Sequence, residues 1–298
     1  MESLLPTSIS GTVALRDGRT LAYEIYGDNS AKAPTIFFFH GICSCRYEAA
    51  LFDAAARRHG VRIVAPDRPG TGGSTLQPDR TIAQWADDVI QLADAPEINA
   101  FSFGILCRRG GASYAIACCA ALPSTRLLAV GIHDDLFQER LPRWLAANAP
   151  WLMAKILGKT AAMAQDTAHP ERLEKEVRGR FKEPFLSQLE NDGCNVHALA
   201  TVCLRQALGL EYGARNVAHE WKIALRDWEL DLKGMQLEEG NLVLWHDREE
   251  SKTPIFVAEK VQTWLVGSEL RLVDWPEQPG LLAGYHDEMI ATVVDKMN

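Results

Sequence analysis

Three kinds of residue in this chain could do chemistry on a small molecule. Eight histidines, at positions 40, 59, 133, 169, 197, 219, 246 and 286, offer proton transfer near neutral pH. Seven cysteines, at 43, 45, 107, 118, 119, 194 and 203, offer thiols. The run Cys107-Arg108-Arg109-Gly110-Gly111 offers two guanidiniums beside two glycines. A guanidinium stays protonated at any physiological pH, so it is no nucleophile. Its planar fork of donors suits a carboxylate or the oxygen of a developing enolate.

Most of these groups have a plain structural reading. His59, His169, His197 and His219 sit in helical patterns with polar neighbours and read as solvated. Cys118 and Cys119 lie in an apolar helical stretch and read as small buried hydrophobes. The cysteine count is odd, and residues 1–10 lack a basic and then apolar leader, so the cysteines read as thiols of a cytoplasmic protein. The spacing of Cys43, Cys45 and Cys107 matches no zinc pattern, so no metal is expected.

The elements that must position these groups follow from hydrophobic periodicity. Residues 11–15 and 20–26 flank an Asp17-Gly18 step, a hairpin signal. Apolar runs at 35–39, 61–65, 101–106, 127–132, 242–245 and 269–273 have strand length. Helical patterns at 46–59, 81–95 and 110–122 alternate with them, ending at Gly60, near Ala95 and before Pro123. That alternation predicts an α/β protein with a mostly parallel sheet and helices on both faces. Residues 133–240 break it with helical patterns alone, which predicts an inserted helical cap over a core of residues 1–132 and 241–298. Such a cap must sit at the carboxyl ends of the strands, where open α/β sheets bind ligands.

Composition narrows the partners. With 31 Lys+Arg against 39 Asp+Glu the net charge is −8, which disfavours a phosphate-binding surface and hence nucleic acid. Apolar stretches such as residues 115–122 are too short to span a bilayer, so no membrane partner is expected. A small-molecule partner is; monomer and dimer are both compatible with the sequence.

Together, in this order, several motifs resemble the α/β-hydrolase superfamily over nearly the whole chain. They are Asp17-Gly18-Arg19 with Tyr26-Gly27-Asp28, Phe38-Phe39-His40-Gly41, Ala65-Pro66-Asp67-Arg68-Pro69-Gly70 with Gly72, Gly73 and Ser74, and Leu242 to His246 with Thr253-Pro254. The resemblance implies the α/β-hydrolase fold, with a sharp turn after the fifth strand that usually reads Gly-x-Ser-x-Gly. Here that turn reads Cys107 to Gly111, with Arg109 where the family has its nucleophile. Reading Cys107 as the nucleophile would put Arg109 where a small residue is needed. Ser113 lies inside the following helix and Ser102 inside the strand.

The other catalytic positions of the family are occupied. The loop after residue 246 places its acid at Glu250, with Asp247 and Glu249 as neighbours that could substitute. Gly284-Tyr285-His286 places its histidine at His286. The expected oxyanion donors are the backbone N–H groups of Ile42 and Gly110. Cys43, Cys107, Arg108 and His133 are candidates for lining the substrate pocket. Trp144, Trp151, Phe181, Phe185, Trp221 and Trp228 suggest an apolar ceiling on it.

An acid–histidine pair with an arginine can polarise a carbonyl and move a proton without a covalent intermediate. The resulting expectation is a cofactor-free, non-hydrolytic enzyme (cyclase, isomerase or lyase) using His286, Glu250 and Arg109 on a bulky, largely apolar carbonyl metabolite, as in secondary metabolism. Arg109 nearby would lower the His286 pKa and Glu250 would pull it up, so no net shift is expected. Two alternatives stand beside it: an atypical hydrolase using water or Cys107, and a catalytically silent receptor or scaffold.

Overall fold

Strand β1 (Ile9–Ala14) turns back through Asp17-Gly18 into β2 (Thr20–Gly27), with Ala14 opposite Thr20. The structure, a computed structural model, describes residues 5–30, 32–133, 148–180, 194–224, 230, 238–248, 255–273 and 285–298. The other strands are β3 (Thr35–Phe39), β4 (Arg62–Pro66), β5 (Phe103–Arg108), β6 (Leu127–His133), β7 (Leu242–Asp247) and β8 (Glu269–Val273). They form one eight-stranded sheet in the order β1-β2-β4-β3-β5-β6-β7-β8. The first two ladders are antiparallel and the rest parallel.

Strand alternation divides the core between the two faces of the sheet. Phe37, Phe39, Ile105 and Cys107 face one apolar cluster, shared with α2 (Trp85–Asp94) and α3 (Gly111–Ala121). Ile36, Phe38 and Leu106 face the other. That second cluster also takes in the 3₁₀ helix Arg46–Phe52, its continuation α1 (Asp53–Arg58) and the last helix of the chain, which starts at His286. Burial on both faces explains why Thr35–Phe39 reads as an unbroken apolar run.

Some boundaries differ from the sequence reading. Strand β5 begins and ends two residues later, at Phe103 and Arg108, because Cys107 and Arg108 still pair with Ile132 and His133 of β6. Helix α2 begins at Trp85, but Thr81 still closes the turn before it: the Thr81 N–H donates to Gln84 Oε1 at 2.9 Å and the Gln84 N–H to Thr81 Oγ1 at 3.4 Å.

Between β6 and β7 the described residues form helices only: α4 (Pro150–Gln165), α5 (Glu171–Arg180), α6 (Val196–Leu208) and α7 (Gly213–Ala224). They share a small apolar cluster of their own, including Leu173, Val177, Leu208 and Val217. Helix α6 also packs on the 3₁₀ helix through Val196, Leu199 and Cys203. The chain is completed by α8 (Ile255–Trp264) and α9 (His286–Met297). No helix among the described residues is long and apolar enough to cross a membrane.

The strand order places the site. From β3 the chain moves outward to β4, then returns to β5 on the other side of β3. The connections leaving β3 and β5 therefore diverge, and a crevice opens at their carboxyl ends. Those ends are Phe39, followed by His40 to Cys43, and Arg108, followed by Arg109 and Gly110.

Candidate active site

Only two residues, Arg109 and Gly110, separate β5 from α3. So short a strand-to-helix turn forces an unusual backbone. Arg109 has φ 47°, the left-handed region that side chains other than glycine rarely adopt. Its N–H donates to the His133 carbonyl at 3.1 Å. Close packing supports the turn. A Cβ on Gly111 would lie 2.4 Å from the Phe39 carbonyl oxygen, and one on Gly110 would lie 2.3 Å from Ile42 Cγ1. Arg109 thus occupies the tip of the turn, with its Cβ beside Gly41 and its side chain exposed. Ser113 is buried and its hydroxyl donates to the Gly110 carbonyl at 3.1 Å.

The loop after β3 is held firmly. His40 is fully buried, with Nδ1 2.9 Å from the Gly41 carbonyl and Nε2 accepting from the Arg68 N–H at 3.3 Å. Those partners assign the neutral Nδ1–H tautomer. Burial and the Arg68 cation hold its pKa down to about 3. The Gly41 N–H donates to Glu48 Oε2 at 2.7 Å. The N–H groups of Ile42 and Gly110 have no acceptor among the described residues, which leaves both amides available to a substrate oxygen.

Arg108 takes the part at His286 that the sequence reading gave to Arg109. Alternation along β5 turns Arg108 to the same face as Leu106, where α9 packs. It is buried and donates from Nη1 to Glu48 Oε1 at 3.1 Å. Burial would raise the Glu48 pKa, but Arg108, the Gly41 N–H, His40 and Arg109 together hold it below the usual carboxylate range. His286 opens α9, buried, with its ring 4.3 Å from that of Phe52. Neither of its ring nitrogens has a hydrogen-bond partner among the described residues. Burial first and the Arg108 cation second lower its pKa to about 3, against an opposing pull from Asp287.

A cavity of about 190 Å³ opens between core and α6. Cys43, Glu48, Leu51 and Arg108 line one side; Val196, Leu199, Cys203 and Leu204 line the other. Its apolar wall is therefore aliphatic rather than aromatic. Trp151 is 69% exposed and Trp221 packs against α4; Trp144, Phe181, Phe185 and Trp228 lie outside the described residues. Arg109 and His286 do not line this cavity, although Arg108 joins it to His286.

Cys107 departs from its candidate role in the pocket. It faces the core beneath β5, and burial raises its pKa well above that of an ordinary thiol, so it stays protonated. His133 ends β6, buried, and touches the turn through its carbonyl. Asp247 ends β7; Glu249 and Glu250 lie outside the described residues. No group of three or more His, Cys, Asp or Glu among the described residues could hold a metal ion.

Sequence reasoning missed Glu48, the carboxylate at the centre of this arrangement. Its only signal was a position eight residues after His40, on an apolar helical pattern.

Residues 36–274 match the model of the alpha/beta hydrolase family, and the chain belongs to that family. The folds of known structures agree. E-2-(Acetamidomethylene)succinate hydrolase superposes with a TM-score of 0.70 at 14% identity, covering 97% of this chain and 100% of that one. An enol-lactonase from Burkholderia xenovorans LB400 gives 0.62 at 17% identity, covering 96% and 99%. A hydrolase from Pseudomonas aeruginosa PA01 gives 0.62 at 18% identity, covering 97% and 98%. No curated protein matches the chain in sequence.

Two outcomes follow from this geometry. Gly111→Ala drives a methyl into the Phe39 carbonyl, and urea denaturation should register a loss of about 1–3 kcal/mol. His40 and His286 are neutral in the folded protein down to about pH 3, whereas unfolded histidine protonates near 6.5. Unfolding therefore takes up protons between those values, and stability present above pH 6.5 falls as the pH drops. Between pH 6.5 and 5 each histidine should contribute a slope of up to about 1.4 kcal/mol per pH unit. His286→Gln should remove one such contribution in a urea titration at several pH values; an unchanged slope would contradict the burial of a neutral imidazole.

Proposed function

We propose that this chain is an enzyme that acts on a small carbonyl compound by proton transfer and electrostatic stabilisation, without a covalent acyl-enzyme. The observation that carries this reading is Arg109: a strained, tightly supported turn presents a guanidinium where the family presents its serine. Strain of this kind persists where the surroundings enforce it, and it gathers at functional sites.

In this reading the substrate carbonyl oxygen sits at the N–H groups of Ile42 and Gly110. Arg109 holds a neighbouring carboxylate or the oxygen of the developing enolate. His286 takes the proton from the carbon next to the carbonyl, the C–H electron pair forms a C=C bond as the carbonyl π pair moves to the oxygen, and the imidazolium returns the proton at another atom. Negative charge growing on the substrate offsets the burial and the Arg108 cation that depress the imidazole's basicity. Glu250 orients His286, following the family's arrangement. The apolar part of the substrate enters the cavity under α6, whose volume suits a ring-sized group. Cyclisation, isomerisation and carbon–carbon lyase chemistry all use these steps.

Hydrolysis is the second reading, with His286 activating a water molecule. It is favoured by the known activities named for the proteins of similar fold: hydrolase, enol-lactonase and succinate-derivative hydrolase.

Two tests apply. The purified protein should escape labelling by fluorophosphonates and turn over activated esters at background rates, while Arg109→Ser should gain measurable esterase activity. Rapid stoichiometric labelling of the unmodified protein would overturn the proposal. In a screen of carbonyl compounds, His286→Ala should lose roughly 10²–10⁴ in turnover of a true substrate. Arg109→Lys should rescue little, since an ammonium lacks the bidentate fork. Release of a water-addition product would select the second reading, and full activity in both His286→Ala and Arg109→Ala would exclude both.

A further inference from the structure

Glu220 stands on α7, and its side chain is 1% exposed. Its Oε1 accepts from Arg68 Nε at 2.7 Å and its Oε2 from Arg68 Nη2 at 3.3 Å, a two-pronged ion pair. Arg68 is equally buried and lies 4.8 Å over the Tyr114 ring. The same guanidinium donates from Nη1 to the His40 carbonyl and from Nη2 to the Gly41 carbonyl at 2.9 Å. One turn earlier on α7, Asn216 accepts from Arg80 at 3.1 Å and donates to the Gly70 carbonyl at 2.9 Å. A helix from the segment between β6 and β7 thus grips the loop after β4, and through Arg68 the loop after β3.

Peptide geometry gives this grip a direction. A trans peptide is planar, and its C=O and N–H point opposite ways. The His40–Gly41 peptide is held at both ends, its oxygen by Arg68 and its N–H by Glu48. The Gly41–Ile42 peptide is held only at its oxygen, by Arg68 and the His40 ring. Fixing that oxygen aims the Ile42 N–H away from Arg68, towards the turn at Gly110, where the Ile42 side chain already packs. Stability alone is a poor reason for such a pair, because apolar residues in place of a buried ion pair often stabilise as well or better. Apolar residues such as Ile223 already join α7 to the main core cluster.

We propose that Glu220 is a positioning residue: by holding Arg68 against the carbonyls of His40 and Gly41 it aims the Ile42 N–H, so that seating of α7 completes the oxyanion site. The proposal rests on the reading of Ile42 as an oxyanion donor.

Amide hydrogen exchange tests it without needing a substrate. In Glu220→Gln, exchange at Gly41, whose N–H is held by Glu48, should quicken about 10-fold, the factor expected from losing one or two local interactions, while α3 amides stay unchanged. Glu220→Asp, which keeps the charge, should change the Gly41 exchange less and serves if the glutamine variant fails to fold. Ile223→Ala loosens α7 without touching Arg68 and is the control. Unchanged exchange at Gly41 in Glu220→Gln would overturn the proposal, as would an equal increase in Ile223→Ala. With a substrate in hand, Glu220→Gln should lower kcat about 10-fold and leave KM unchanged; altered exchange with unaltered kcat would also overturn it. Absence of any turnover by the unmodified protein would count against the proposed function, while the exchange result would still decide the relay.

Discussion

The close approach of α3 to the end of β3 is the constraint on which the rest of this structure depends. Gly111 lies against the Phe39 carbonyl with no space for a Cβ. Because the helix sits so near the sheet, β5 must pass into it within two residues, and the residue at the tip must take a left-handed backbone. The Ile42 side chain fills the space beside Gly110, which fixes the spacing between the loops that follow β3 and β5. Ile42, Arg109 and Gly110 belong to these loops, and Glu48 holds the first loop through the Gly41 N–H. The turn's demands are met even though its tip carries an arginine rather than a small nucleophile.

Electrostatics then assigns roles within that frame. The chain as a whole is acidic, yet among the described residues Arg68 and Arg80 meet at Glu220, and Arg108 and Arg109 act on Glu48. Burial in such surroundings favours neutral histidine, since both the lost hydration and the nearby cations oppose a second positive charge. His40 and His286 respond alike but serve differently. His40 has both ring nitrogens engaged and acts as a spacer between two loops. His286 has neither nitrogen engaged among the described residues.

Residue order and type were enough to determine the sheet, the alternation of strands and helices, the identity of the turn and the arginine at its tip. Those features depend on local periodicity and on short motifs, which a chain carries in its own sequence. Thr35–Phe39 is buried on both faces and reads so directly; the Asp17-Gly18 turn does too. Which arginine acts on which partner was not legible in the same way. Arg108 and Arg109 are adjacent and chemically identical, but strand alternation turns the first inward onto the face of α9, and the left-handed turn sends the second outward. Alternation along β5 was the available signal, and it was hidden because the strand runs two residues past its apolar stretch, sustained by pairing with β6.

Glu48 and Glu220 show the remaining limit. Each lies in a segment with a helical pattern, and each is buried with a counter-charge supplied by a distant residue: Arg108 for the first and Arg68 for the second. A burial that depends on a partner 60 or 152 positions away leaves no local pattern. Only the tertiary structure brings those charges together, since the counter-charge that offsets the desolvation cost of each comes from a part of the chain far from it.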